Sequence, residues 1–168
     1  MLLTCAATTR QPSGMRTQVC ICRPVRWVSP SLNSVLTVVY LIFTTGYAAG
    51  PQEPRDLCAE AIFLGQLIAD LCPDQPEVEG ALALMLLTDA RRAARIAPDG
   101  CTLPLADQDR RLWDSAKAER GRALLDAAMA RRQPGPFQIK AAIAACDMAE
   151  PGPDWPQIAL LYAGLYAH

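Results

Sequence analysis

Apolar residues along this chain recur at three- and four-residue spacings from about residue 31 onward, a period that predicts helices rather than strands. Leu32, Val35, Val39, Ile42 and Phe43 mark one face of a helix expected from Ser31 to about Ala49, with Ser31 as its cap. Pro51-Gln52-Glu53-Pro54 reads as a linker. Leu57, Ala61, Leu64, Ile68 and Leu71 then line a second helix that Cys72-Pro73 ends. The next helix is expected to open with Asp74 as cap, Pro76 early in the first turn and Glu77 three residues after the cap. Its buried stripe is Val78, Ala81, Leu82, Met85 and Leu86. So short a connection between the two helices predicts antiparallel packing.

Pro98-Asp99-Gly100 forms a predicted turn, with a loop continuing to about Leu105. A helix from Asp107 to about Gln133 follows, carrying Trp113, Ala116, Leu124, Ala127 and Ala128 inward, with an interruption near Gly121. Pro134-Gly135-Pro136 breaks it. Phe137 to Ala149 is expected as another helix, with Ile139, Ala142, Ile143 and Cys146 facing in. After Pro151-Gly152-Pro153, Asp154 caps a last helix from Trp155 to about Tyr166, whose face of Ile158, Leu161, Tyr162 and Leu165 has no later partner in the sequence. The fold class is therefore all-α: five or six helices in antiparallel hairpins. Glu60-Ala61-Ile62, Leu71, Pro73 and Pro76-Glu77 follow the order in which tetratricopeptide repeats join their helices, so the hairpins are expected to be tetratricopeptide-like in part. Residues 1–30 lack periodicity and are expected to be poorly ordered; 31–168 form the helical domain.

Composition agrees, with 51% hydrophobic but only 6% aromatic residues. The net charge of −1 conceals an asymmetry: residues 1–52 contain Arg10, Arg16, Arg23 and Arg26 and no acid, which leaves 12 basic and 17 acidic groups beyond them. An acidic domain is a poor general binder of nucleic acid. From Trp27 to Gln52 there is no charge, and Val35–Phe43 imitates the centre of a secretory signal. That centre is too short to span a membrane, and the helical cap at Ser31 favours a core helix. Seven cysteines include no C-x-x-C pair, and the one histidine is His168, so neither a metal site nor another cofactor site is expected. Cys58, Cys72 and Cys146 fall on helix faces and read as reduced, structural thiols, which points to a cytoplasmic protein.

The chemistry-bearing residues gather at one bend. Asp89, Arg91, Arg92 and Arg95 close the third helix; Asp107, Gln108, Asp109, Arg110, Trp113 and Asp114 open the next. Three readings compete. In the first, the carboxylates and guanidinium groups pair across the loop, Arg92 with Asp109, and lock two helices. In the second, they form a docking surface, since Trp and Arg anchor many interfaces. Catalysis is the third, but no nucleophile, histidine or phosphate-cradling glycine loop lies nearby in sequence, and an enzyme is not expected.

Several runs carry a family resemblance: Tyr40–Tyr47 (YLIFTTGY), Asp56–Ile62, Ala81–Arg95, Asp107–Arg110 with Trp113-Asp114, Gly135–Gln138 with Ala141–Ala145, Asp154-Trp155 and Leu161-Tyr162. Together they resemble the helical, tetratricopeptide-like C-terminal extension of extracytoplasmic-function RNA polymerase sigma factors, over about Pro24 to His168. Thr44-Thr45 stands where many such proteins have Asn-Glu. The polymerase-binding region and the promoter-reading helix-turn-helix of such factors have no counterpart in residues 1–26, and the repeats expected after Tyr162 are missing. The resemblance implies the middle of a larger transcription-initiation factor. Its partners would be proteins: other sigma-factor regions, RNA polymerase or a regulator. No direct DNA contact and no membrane are implied. A free-standing helical adaptor is the alternative, and a secreted or tethered domain using Val35–Phe43 as its signal is the third option.

Overall fold

A computed structural model describes residues 30–49 and 55–166. The expectations for residues 1–29, for the Pro51–Pro54 linker and for His168 lie outside the described residues. Within them the protein is all-helical: α1 (Pro30–Ala49), α2 (Leu57–Leu71), α3 (Pro76–Asp89), the single turn α4 (Arg92–Arg95), α5 (Ser115–Ala130), α6 (Pro136–Asp147) and α7 (Trp155–Tyr166).

The layout is organised by α3. Its start-to-end run of Val78, Gly80 through Leu87 and Asp89 is buried on every side, as an apolar helix without a polar face must be. The neighbours follow from which ends meet. Asp56, at the start of α2, reaches Arg92 just past the end of α3, so α2 and α3 run antiparallel. Lys117 in the first turn of α5 reaches Asp89 at the end of α3, and Arg131 beyond the end of α5 reaches Glu79; these two are antiparallel as well. Helix α6 instead runs parallel to α3: Glu77 meets Phe137 near both starts, and Arg91 meets Asp147 near both ends. The pattern is one of stacked hairpins, α3–α5 followed by α6–α7. The main core joins α3 to Leu36, Ala118, Leu125, Phe137, Ala141 and Met148. A second cluster of Val39, Phe43, Cys58, Ala61, Leu82 and Met85 ties α1 and α2 to it.

Several local expectations change. Asp74 does not cap α3: it adopts a left-handed conformation with φ 62°, which aspartate tolerates, and Gln75 occupies the cap position without a side-chain bond. Glu77 also turns away from its own helix. Its carboxylate accepts from the backbone N–H of Phe137 and of Gln138 at 3.1 and 3.3 Å and from Gln138 Nε2 at 3.0 Å. It thus caps α6, whose own cap residue, Gly135, has no side chain to offer. The helix expected from Asp107 begins only at Ser115; before it the chain makes two 3-10 turns, Leu105–Asp107 and Arg110–Leu112. The Asp114 N–H donates to the Ala90 carbonyl at 2.8 Å and its side chain accepts from Lys117 N–H at 3.0 Å. The chain is thereby pinned to the end of α3 before α5 starts. No interruption occurs at Gly121, which instead lets α5 approach Leu87 closely. The Pro98-Asp99-Gly100 turn forms as expected, with Gly100 at φ 85°. In α7, Ile158, Leu161 and Leu165 pack on Ile139 and Ile143 of α6. The preceding helix thus covers Ile158 and part of Leu161 and Leu165 on the face expected to have no later partner, while Tyr162 of that face is exposed, as are Trp155, Leu160 and Tyr166.

Candidate functional site

Eight of the ten residues singled out by sequence fall into three groups around the end of α3; Asp107 and Asp109 do not join them. The first is centred on Asp89, whose side chain is only 2% exposed. Its Oδ2 accepts from Lys117 Nζ at 2.7 Å, and its Oδ1 faces Arg92 Nε at 3.0 Å. That second contact is ionic without hydrogen-bond alignment. Arg92 then forms a two-pronged pair with Asp56, Nη1 to Oδ1 at 2.6 Å and Nη2 to Oδ2 at 2.8 Å, the fork geometry that suits guanidinium and carboxylate. Asp56 is also the cap of α2, accepting from Ala59 N–H. Asp114 completes the group, 3.6 Å from Lys117 Nζ. One chain of charge, Asp56–Arg92–Asp89–Lys117–Asp114, therefore fastens the start of α2, the end of α3 and the start of α5.

The second group binds the end of α3 to α6 and to the turn after it. Arg91 lies 3.8 Å from Asp147, whose carboxyl is raised above its ordinary pKa because burial outweighs the neighbouring Arg91 charge. Arg110 donates to the Ala149 carbonyl at 2.9 Å and stacks over the Trp113 ring, 4.8 Å from its centre. Trp113 packs against the main core. Gln108 donates to Leu103 O at 3.2 Å and holds its own loop. The third group is Arg95, which donates to the Tyr47 carbonyl at the end of α1 and lies over the Tyr47 ring at 4.3 Å. Burial raises the Tyr47 hydroxyl above its ordinary pKa, against the opposing pull of Arg91 and Arg95.

The expected Arg92–Asp109 pair does not form. Asp109 caps the short turn that follows it and pairs with Arg111 two residues on, a side chain that is 90% exposed. Asp107 is exposed and bonds to nothing in the cluster. The acid that takes Arg92 is Asp56, and the cation that crosses the loop is Lys117. The reason is geometric: α5 starts eight residues later than Asp107, so Asp107 and Asp109 sit on turns outside the helix junction. Asp56 carried a readable signal, an acidic cap just before an apolar run. Lys117 carried only its place three residues after Asp114.

Two outcomes follow from this geometry. Arg92→Ala removes the partner of Asp56 and one cation from Asp89, and lowers unfolding free energy by about 2 kcal/mol in chemical denaturation. Asp109→Ala loses only the cap of one short surface turn and costs clearly less than Arg92→Ala; a drop as large as that of Arg92→Ala would contradict the position of that carboxylate outside the helix junction. The second outcome concerns pH. The hydrogen bonds from Arg92 hold the Asp56 carboxyl down at about 2, against an ordinary 3.8. A depressed carboxyl contributes stability above its unfolded value and loses it as pH falls through the folded one. With the Asp56 side chain 48% exposed, solvent screening limits the contribution to about 1 kcal/mol or less. Asp56→Asn keeps a cap but not the charge. The stability gap between it and the parent protein is complete at pH 6 and closes between pH 4 and pH 2.

Among the described residues no group of three or more His, Cys, Asp or Glu side chains is placed to hold a metal ion. Cys58, Cys72, Cys101 and Cys146 are free thiols, with Cys58 fully buried and its thiol pushed up by burial. No helix among the described residues is long and apolar enough to cross a membrane.

A family model described as a family of unknown function, DUF6596, matches residues 31–129, a span that contains all ten residues and ends within the last turn of α5. An uncharacterized protein of Rhizobium meliloti (strain 1021) is 45% identical over 140 residues, which is 80% of this chain and 33% of that protein. The chain thus spans about a third of the length of that relative. No solved structure matches.

Proposed function

This chain belongs to the DUF6596 family, and from the sequence runs that resemble sigma-factor extensions we propose that it is the helical regulatory extension of an RNA polymerase sigma factor of the extracytoplasmic-function type, working in the cytoplasm through protein contacts. The observation that carries the reading is the proportion of the alignment. The 140 residues that align make up 33% of the Rhizobium meliloti relative, which leaves room there for regions that bind polymerase and promoter. The sequence runs that resemble such extensions support it, because Ala81–Arg95 forms the central buried helix and its basic turn. The acidic balance beyond residue 52 favours action on proteins over action on DNA. The ionic junction at the end of α3 acts as a fastener in this reading and not as an active site: each of its charges is directed at another part of the fold.

The test uses the full-length Rhizobium relative and a version lacking the aligned helical unit, each mixed with purified core RNA polymerase. The full-length protein binds core polymerase, and removing the helical unit changes promoter-dependent transcript yield. A relative that does not bind core polymerase removes the transcription reading. The second reading, a helical-repeat adaptor, is favoured by the exposed apolar residues of α7 and would then stand in its place.

A further inference from the structure

A cleft of about 580 Å³ opens where the end of α1, the start of α2 and the turn α4 meet. Its size falls in the range of sites that hold small molecules. Tyr47, Leu57, Ala93 and Ile96 give it apolar walls; Arg55, Arg92 and Arg95 line it with three basic residues, against the single acid Asp56 among the described residues. These charges are not equivalent. Arg92 is satisfied by Asp56 and Asp89. Arg95 is held in place by a backbone carbonyl and an aromatic ring, neither of which neutralises it. Arg55 is exposed, and its guanidinium has no ion-pair or hydrogen-bond partner among the described residues. Two guanidinium groups with no acidic partner among the described residues thus frame an apolar recess, in a part of the chain where acids outnumber bases by 17 to 12.

We propose that this cleft binds a small organic oxyanion, a carboxylate or phosphate ester carrying a compact apolar body. The anionic head sits between Arg55 and Arg95, whose planar forks donate paired hydrogen bonds to carboxylate or phosphate oxygens. The body lies against Leu57, Ala93 and Ile96. Such a ligand ties the start of α2 to α4 and so reinforces the junction that Arg92 and Asp56 already make. The site does not rest on the transcription reading: it is a property of three elements of this chain, whatever larger protein carries them.

The test titrates the full chain with four probes, benzoate, phenyl phosphate, inorganic phosphate and phenol, and follows backbone amide shifts by nuclear magnetic resonance together with the thermal midpoint. Benzoate or phenyl phosphate is expected to shift the amides of Tyr47, Leu57, Ala93 and Ile96 saturably and to raise the midpoint; whichever binds more tightly identifies the head group. Inorganic phosphate lacks the body and phenol lacks the charge, so both bind at least about tenfold more weakly. Arg55→Ala leaves the ligand-free melting midpoint unchanged and weakens binding about tenfold, and added salt weakens it further. Ala93→Trp, at an exposed wall position, fills the cleft and abolishes the shifts without changing its charge. The proposal is overturned if no probe perturbs these amides, if the shifts lie elsewhere on the molecule, or if both variants bind as the parent does.

Discussion

Asp89→Ala lowers the unfolding free energy by about 3 kcal/mol, the largest loss expected from any single change at the charged junction. Removing one member of a buried ion pair costs about 3–5 kcal/mol because its partner is left without compensation. Asp89 has two partners and is itself 4% exposed. The loss stays near the lower end of that range because Lys117 and Arg92 retain 39% and 33% side-chain exposure and can turn partly to water. For a domain of this size the midpoint falls by about 10 °C. Asp89→Asn, which keeps the shape and removes the charge, costs less than alanine but more than half as much. A double-mutant cycle with Lys117→Met isolates the pair: removing both charges restores part of the stability lost by removing the acid alone. A denaturation midpoint for Asp89→Ala within error of the parent would mean that Asp89 reaches solvent and that the junction is ornamental.

This residue also marks how far the sequence could be read. The class of fold, the helix-breaking prolines and the turn at Gly100 follow from local chemistry, and the structure has them where the pattern puts them. Facing was harder. Helix α1 has no charged residue, so nothing in its sequence separates one apolar face from another; Val35, expected inside, is 46% exposed, while Leu36 is 1% exposed. On α2 the expected stripe included Leu71, which is 72% exposed, and left out Gly65, which is buried, whereas Cys58, expected on a helix face, is fully buried. On α3 a single stripe was expected, yet Ala83, Leu84 and Leu87 are buried with the rest, because four helices surround it and a central helix has no solvent side. The junction failed in the same manner. Asp89, Arg92 and Arg95 were legible as a charged helix end, but partners such as Asp56, 36 residues from Arg92, and Tyr47, 48 residues from Arg95, come from α1 and α2. Only the packing of those helices against α3 brings them there. Long-range partners of this kind are set by tertiary geometry, and spacing along one helix holds no record of them.

Gly80→Ala and Gly164→Ala are the same substitution in two helices and should move stability in opposite directions. Alanine favours a helix interior over glycine by about 1 kcal/mol, so where space allows the change stabilises. Gly164 in α7 has no atom within 4 Å of the position an added Cβ would take, and the variant gains about 0.5 kcal/mol, reduced from the full value by its place near the helix end. At Gly80 the added carbon would lie 2.7 Å from Gln138 Cγ, 2.8 Å from the Gln138 backbone nitrogen and 3.0 Å from its Cα. Two of those atoms are backbone and cannot swing aside, so α3 and α6 must separate. Separation also pulls Glu77 from the amides it caps at 3.1 and 3.3 Å and opens the contact with Phe137 in the main core. Overpacking costs about 1–3 kcal/mol, and the lost cap adds about 1 kcal/mol. Against the helical gain, Gly80→Ala therefore loses about 2 kcal/mol net. Urea unfolding of the two variants beside the parent decides it. If Gly80→Ala stabilises as Gly164→Ala does, α3 and α6 do not lie in close parallel contact, and the stacked-hairpin arrangement that positions both the junction and the cleft is wrong.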